Sequence, residues 1–180
     1  FNLKRYDDVI AAIKKGNFPS MSESQWKDIP LLQARSYYAM EKYEDVYMSL
    51  EVKNMRDYPK EDILMYIRCA LKTGDYRSAI EANEFLESSK KHFSESLYII
   101  GEYLLRNDHR DEAELYFLKI IRECPGTPYA DHARLSLGEM NLLEKKYMEA
   151  ISYLSTADAG ADRAIMNRKN SLLIRCYIEM

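Results

Sequence analysis

The stretch Leu137-Gly138-Glu139-Met140, followed a few residues on by Lys146-Tyr147-Met148-Glu149-Ala150, decides how this chain is read, because altered versions of it recur upstream. Ile100-Gly101-Glu102-Tyr103 precedes His109-Arg110-Asp111-Glu112-Ala113, and Tyr66-Ile67-Arg68-Cys69-Ala70 precedes Gly74-Asp75-Tyr76-Arg77-Ser78-Ala79. Earlier still, Leu31-Leu32-Gln33-Ala34-Arg35-Ser36-Tyr37 precedes Lys42-Tyr43-Glu44-Asp45-Val46. One small residue marks each copy, at Val9, Val46, Ala79, Ala113 and Ala150, with successive spacings of 37, 33, 34 and 37 residues. Self-similarity at such a period is the signature of a repeat architecture.

Each unit reads as two helices of about a dozen residues, neither able to bury its apolar stripe alone, so the next unit must cover it. Gly101, Gly138, Ala34, Ala79, Ala113 and Ala150 stand where helices need to approach closely. A large side chain there would cost roughly 1–3 kcal/mol. Turn chemistry interrupts the helical runs at Asp57-Tyr58-Pro59, Thr73-Gly74-Asp75, Asn107-Asp108 and Cys124-Pro125-Gly126-Thr127-Pro128. Residues 4–15 read as the second helix of a repeat whose first helix is missing, and 17–24 as a polar connection through Pro19. Complete pairs follow over 27–59, 60–93, 94–127 and 131–164, and 165–180 is a first helix without its partner. Ile174-Arg175-Cys176-Tyr177 in that last helix parallels Ile67-Arg68-Cys69-Ala70.

Bulk composition points the same way. A chain of 180 residues that is 47% apolar and 31% charged, with six Gly and five Pro, describes a globular or repeat domain and excludes disorder. Three Val and three Thr against nineteen Leu, seventeen Glu and fifteen Ala favour helices over sheets. A net charge of −3 and a pI near 5.7 supply no positive field for phosphates, and the longest basic cluster is Lys90-Lys91-His92, so nucleic acid is not an expected partner. No apolar stretch approaches the roughly 18 to 20 residues a bilayer span needs, and Phe1-Asn2-Leu3-Lys4-Arg5-Tyr6 has no signal-peptide pattern. The chain therefore reads as soluble, without membrane insertion. Beginning without Met and stopping at Ile178-Glu179-Met180 inside an apolar pattern, it also reads as a piece of something longer.

The recurring residues resemble the tetratricopeptide repeat, whose pattern sets a Leu-Gly pair in the first helix, a Tyr before an Ala in the second, and a Pro near the end. Leu137, Gly138, Tyr147 and Ala150 match best; Gly74, Tyr76 and Ala79 carry the second repeat, and Gly101, Ala113, Phe117 and Pro125 the third. Ile67, Arg110 and Val46 depart from the pattern. The resemblance covers nearly the whole chain and implies an all-α fold: one right-handed superhelical solenoid of antiparallel helix pairs, about four full repeats with a half repeat at each end.

It implies further that the first helices, residues 27–45, 60–72, 94–106, 131–143 and 167–179, line a concave wall bearing Arg35, Arg68, Glu102, Glu139 and Arg175 in one row. Leu31, Leu64, Tyr98 and Leu135 flank the row on one side, and Tyr38, Leu71, Leu105 and Leu142 on the other. Two interpretations of the row stay open. It forms a groove, positive in its N-terminal half and negative in the middle, for a peptide of complementary charge. Alternatively Arg68 pairs with Glu102 and Glu139 with Arg175 across neighbouring helices, each exposed pair contributing about 0–1 kcal/mol. The flanking residues likewise serve inter-helix packing, ligand contact, or both.

Catalytic signatures fail one at a time: there is no Gly-rich phosphate loop, no HExxH, no GxSxG and no Cys/His/Asp constellation. Paired acids at Asp7-Asp8, Glu61-Asp62 and Asp111-Glu112 read as helix starts, where negative charge offsets the dipole. Cys69, Cys124 and Cys176, odd in number and outside any CxxC pair, read as buried free thiols, and His92, His109 and His132 do not supply zinc-ligand spacing. Neither a cofactor nor a metal is expected.

The expected function is noncatalytic binding of a protein or peptide on the concave wall. Arg35, Arg68 and Glu102 would set its polarity, and Tyr38, Leu71, Leu105 and Leu142 would supply apolar contact. Charge reversal at Arg35 and Arg68 together should weaken binding and leave the fold intact. The alternative is a structural module that binds through its ends, with residues 165–180 associating end to end along Leu172, Leu173 and Tyr177. Relatives of the repeat family that grip the C-terminal carboxylate of chaperones carry a Lys and an Asn where this chain has Leu31 and Arg35, or Leu64 and Arg68, so that clamp is absent. Cys124-Pro125-Gly126-Thr127-Pro128-Tyr129-Ala130-Asp131-His132-Ala133, with Leu137-Gly138 after it, resembles a junction in bacterial cell-envelope repeat proteins of the outer-membrane assembly and Tol–Pal accessory type. A cytoplasmic location and the periplasmic side of an envelope both remain open.

Overall fold

Four three-residue turns built on one plan organise the molecule. The computed structural model describes residues 3–16, 22–158 and 162–180, and every regular element among them is helical. The turns join α2 (Glu23–Ala39) to α3 (Tyr43–Ser49), α4 (Lys60–Lys72) to α5 (Tyr76–Glu84), α6 (Lys90–Arg106) to α7 (Arg110–Glu123), and α8 (Pro128–Leu143) to α9 (Tyr147–Thr156). In each, the middle residue is left-handed: Glu41 at φ 57°, Gly74 at 88°, Asp108 at 62° and Lys145 at 61°. The following N–H then returns to a carbonyl of the finished helix, Lys42 to Tyr37, Asp75 to Ala70, His109 to Leu104 and Lys146 to Asn141, at 3.0, 2.9, 3.0 and 2.9 Å. That closure satisfies carbonyls which a helix end otherwise leaves open. The same residue starts the next helix, its carbonyl accepting from the small marker residue: Val46 to Lys42, Ala79 to Asp75, Ala113 to His109 and Ala150 to Lys146. The spacing of the markers in sequence is thus the spacing of one recurring backbone turn.

The chain divides into two compact units, Phe1–His92 and Phe93–Met180, the division falling in the first turn of α6. In the first, α1 (Leu3–Lys15) packs on α2, α2 on α3, α3 on α4 and α4 on α5, while α2 also reaches α4. A 3-10 turn at Val52–Asp57 leads out of the second pair member and touches α5. The core is made of the repeat positions themselves: Ala34, Val46, Ile67, Ala70 and Ala79 are fully buried. Of the expected connection over 17–24, residues 17–21 with Pro19 lie outside the described residues, and α2 has already begun at Glu23. Asp7 and Asp8 do not start a helix; they sit within α1, whose first turn carries no acid. Glu61 and Asp111 with Glu112 do fall in first turns, of α4 and α7.

In the second unit α7 packs on α8, α8 on α9 and on α10 (Arg163–Glu179), and α9 on α10. Two glycines set how near the helices come. A Cβ added at Gly101 would lie 2.8 Å from the Phe117 ring, and one at Gly138 would lie 2.6 Å from Leu154. Both contacts join a first helix to the second helix of the same pair at the same offset along the chain. Leu135, Leu142, Ala150, Leu154, Ile165, Leu172 and Cys176 close the core beyond them. The fold is therefore all-α, with neighbouring helices packed in sequence order inside each unit. No helix among the described residues is long and apolar enough to cross a membrane.

Candidate functional site

The turn geometry gives the polar row its register. Arg35, Arg68, Glu102 and Glu139 each stand six residues before the left-handed residue of their turn. They therefore occupy one equivalent position on α2, α4, α6 and α8. From there Arg35, Glu102 and Glu139 each reach the next first helix within their own unit. Arg35 holds Asp62 on α4 with two hydrogen bonds, Nε to Oδ1 at 2.7 Å and Nη2 to Oδ2 at 2.5 Å. Asp62 is buried, its side chain only 6% exposed, and the charged hydrogen bond raises the pKa of Arg35 above its ordinary value. A buried carboxylate needs such a partner. Asp62 is thus a helix-start acid that also closes a contact between helices, a role its position beside Glu61 does not reveal.

In the second unit Glu102 accepts from the Ser136 hydroxyl on α8 at 3.1 Å and lies 3.5 Å from Arg106 on its own helix. Glu139 pairs with Arg168 on α10 at 2.5 Å. The expected alternative partner, Arg175, sits instead 3.7 Å from Glu179 one turn along α10. Burial works against the charge of Arg168, but the hydrogen bond and charge of Glu139 outweigh it and hold its pKa above the ordinary value. Tyr98 lies beside the same groups; its pKa is raised by burial and by the charge of Glu102. Its ring packs at a tilt against Tyr129 and His132, at 5.7 and 5.4 Å between centroids.

These groups border a cleft of about 560 Å³ confined to the second unit, lined by Glu102, Leu105, Asp108, Ser136, Glu139, Met140, Leu143 and Arg168, with Arg110 at its edge. Arg110 donates to the Met140 carbonyl and pairs with Glu144 at 2.8 Å. Both guanidiniums at the cleft are therefore neutralised by acids. Asp108, exposed on its left-handed turn, forms no ion pair among the described residues. Since Glu139 is paired with Arg168 and Glu102 with Arg106, Asp108 is the lining acid that no ion pair among the described residues neutralises, and it stands with the apolar surface of half-buried Leu105 and exposed Leu143. Ser136, Leu143 and Arg168 were not singled out by the sequence, and Arg110 only as a departure from the repeat pattern. Each becomes visible only once the helices are set side by side.

The flanking residues divide by burial. Leu31, Leu64 and Leu135 are core, and so are Leu71 and Leu142, whose side chains are covered inside their own units. Tyr38 stays exposed, while Tyr98 and Leu105 are half-buried. Arg68 is half-buried on α4, and Arg175 is exposed on α10. On the last helix Leu172 belongs to the core and Leu173 packs against it; the exposed large apolar residues are Met166, Ile174, Tyr177 and Ile178. Cys69, Cys124 and Cys176 are buried free thiols, and burial pushes the Cys69 thiol up to about 12. Among the described residues no group of three His, Cys, Asp or Glu is gathered to hold a metal ion. No family model matches the chain, and neither a curated protein nor a solved structure matches it.

Proposed function

We propose that the chain is a noncatalytic interaction module: a right-handed superhelix of tetratricopeptide-type helix pairs whose first helices present a binding face to a segment of a protein partner. The observation that carries this is the cleft of the second unit, where Glu102, Asp108 and Glu139 outnumber Arg110 and Arg168 beside Leu105 and Leu143. Charge complementarity governs which segment is accepted more than how tightly it is held. A segment with a Lys or Arg next to an apolar residue meets both surfaces. On the first unit, the exposed Tyr38 and the half-buried Arg68 are the corresponding contact residues. Arg35 takes part with its carboxylate partner attached, so charge reversal there disturbs Asp62 as well as binding.

Panning a displayed random-peptide library on the folded chain, followed by fluorescence polarisation with the selected peptides, tests this. Basic-apolar peptides are expected, and the double variant Glu102→Lys, Asp108→Lys should bind them about tenfold or more weakly with unchanged helicity. Selected peptides that bind the double variant as tightly as the parent would overturn the proposal.

A further inference from the structure

The cleft already contains a group of the kind it would receive. Arg168 is the lining residue that α10 contributes, and its guanidinium rests on Glu139 through one hydrogen bond, Nη2 to Oε2 at 2.5 Å. Arg168 lies seven residues before Arg175; seven residues before Arg68, Glu102 and Glu139 stand Glu61, Glu95 and His132. A long cation at this place therefore belongs to the cleft and not to the repeat.

Two features separate this ion pair from a structural one. The Asp62 side chain is 6% exposed and shares two hydrogen bonds with Arg35, so losing that partner would leave a buried charge uncompensated. The side chains of Arg168 and Glu139 are 42% and 40% exposed, so water receives both when the pair opens, and such exposed pairs hold weakly. Nor does α10 depend on the pair for its seat. Ile165, Leu172 and Cys176 fix it in the core, and the Lys169 ammonium, next along the helix, donates to the Ala157 carbonyl at the end of α9 at 2.6 Å.

We infer, on the reading of the cleft as the binding site, that Arg168 is an internal occupant of the Glu139 subsite and that an arginine of the partner segment enters by displacing it. Arg168 thereby holds the subsite closed until a stronger ligand arrives. Arginine rather than lysine is that ligand, because a planar guanidinium fork takes both oxygens of a carboxylate at once, whereas Arg168 reaches one. Asp108 on the same lining draws in the second positive charge while the two guanidiniums exchange, and Leu105 and Leu143 receive the apolar neighbour of the entering residue.

Titration with N-acetyl-arginine amide, followed by backbone NMR shifts of Ser136, Glu139 and Met140, tests this. The parent should bind the probe weakly, and Arg168→Ala about fivefold more tightly, since the competitor is gone. Arg168→Met, which keeps the aliphatic stem and its packing, should show the same gain. N-acetyl-citrulline amide, a neutral probe of the same shape, should gain nothing. Adding Glu139→Gln to Arg168→Ala should abolish the gain. Arg163→Ala, which removes an equal charge from α10 outside the cleft lining, should bind as the parent does. Circular dichroism verifies that each variant is folded. Folded Arg168 variants that bind the arginine probe no more tightly than the parent overturn the inference, and so does a gain that survives Glu139→Gln. Because the probe is a single residue, the result stands apart from the peptide library: a gain without selected peptides supports the subsite and removes the segment, and selected peptides without a gain do the reverse.

Discussion

Gly138→Ala examines the close approach on which the second unit is built. The added Cβ would lie 2.6 Å from both Cγ and Cδ2 of Leu154. Rotating the Leu154 methyl groups relieves only one of these contacts. Cγ moves only with the whole side chain or with α9, and Leu154 is fully buried in the core. Overpacking of this kind costs about 1–3 kcal/mol. Replacing Gly by Ala inside a helix returns about 1 kcal/mol of propensity. The net expectation is a loss of about 1 kcal/mol, although propensity alone predicts a gain. Urea unfolding followed by ellipticity at 222 nm measures it, with midpoints compared because repeat arrays can depart from two-state behaviour. Leu154→Ala alone should cost about 2–5 kcal/mol, the price of emptying a buried leucine site. The double variant should lose about 2 kcal/mol less than the two single losses combined, since the whole clash disappears with the leucine while the helix propensity of Ala is kept. Gly126→Ala, where an added Cβ meets nothing within 4 Å, is the control and should show no loss. A Gly138→Ala variant as stable as the parent, with no coupling to Leu154, would refute the packing account.

Two further outcomes follow from the turns. Glu41→Gly and Lys145→Gly remove a side chain from left-handed backbone and should each stabilise by up to about 1 kcal/mol, while Gly74→Ala should cost about 1 kcal/mol, all read by urea midpoint. Asp75 accepts from the Tyr47 hydroxyl at 2.5 Å and from the Ser78 N–H at 3.1 Å, and these bonds hold its carboxyl below the usual range. A depressed folded pKa means stability that is fully present above the ordinary carboxylate value of about 3.9 and is lost as pH falls through the folded value. Thermal melts across the acid range should therefore fall more steeply below about pH 4 for the parent than for Asp75→Asn; parallel profiles would show that Asp75 contributes nothing.

Much of this was legible beforehand, for a local reason. The helical runs, the breaks at Thr73-Gly74-Asp75 and Asn107-Asp108, and the small residues at Val46, Ala79, Ala113 and Ala150 all belong to one three-residue turn and the helix it starts. A turn of that kind is specified by residues a few positions apart, so a reader of sequence sees it directly. Pro30 shows the limit of local rules. It stands inside α2, where a proline ordinarily ends or kinks a helix, and the packing of α1 and α3 on α2 keeps the helix continuous. The candidate site was half visible. Glu102, Glu139 and Leu105 were marked on the wall that the repeat resemblance implies, whereas Arg168 and Ser136 were not, and Arg110 was noted only as a departure from the pattern. Leu71 and Leu142, equivalent in sequence to Tyr38 and Leu105, turned out to be core. Equivalent positions share a backbone, not a degree of cover.

By itself the sequence determined that the chain is helical, where each hairpin turns, and which small residues its helices share, because period and turn chemistry are written within a few residues of one another. Only the tertiary structure decided that Arg35 belongs to Asp62, that Glu139 answers to Arg168 and not to Arg175, and that Ile174 is open where Leu172 is closed. Those choices depend on how far each helix is rotated and slid against the next. A shift of a few ångströms exchanges one partner for another, and the whole packed core sets that shift.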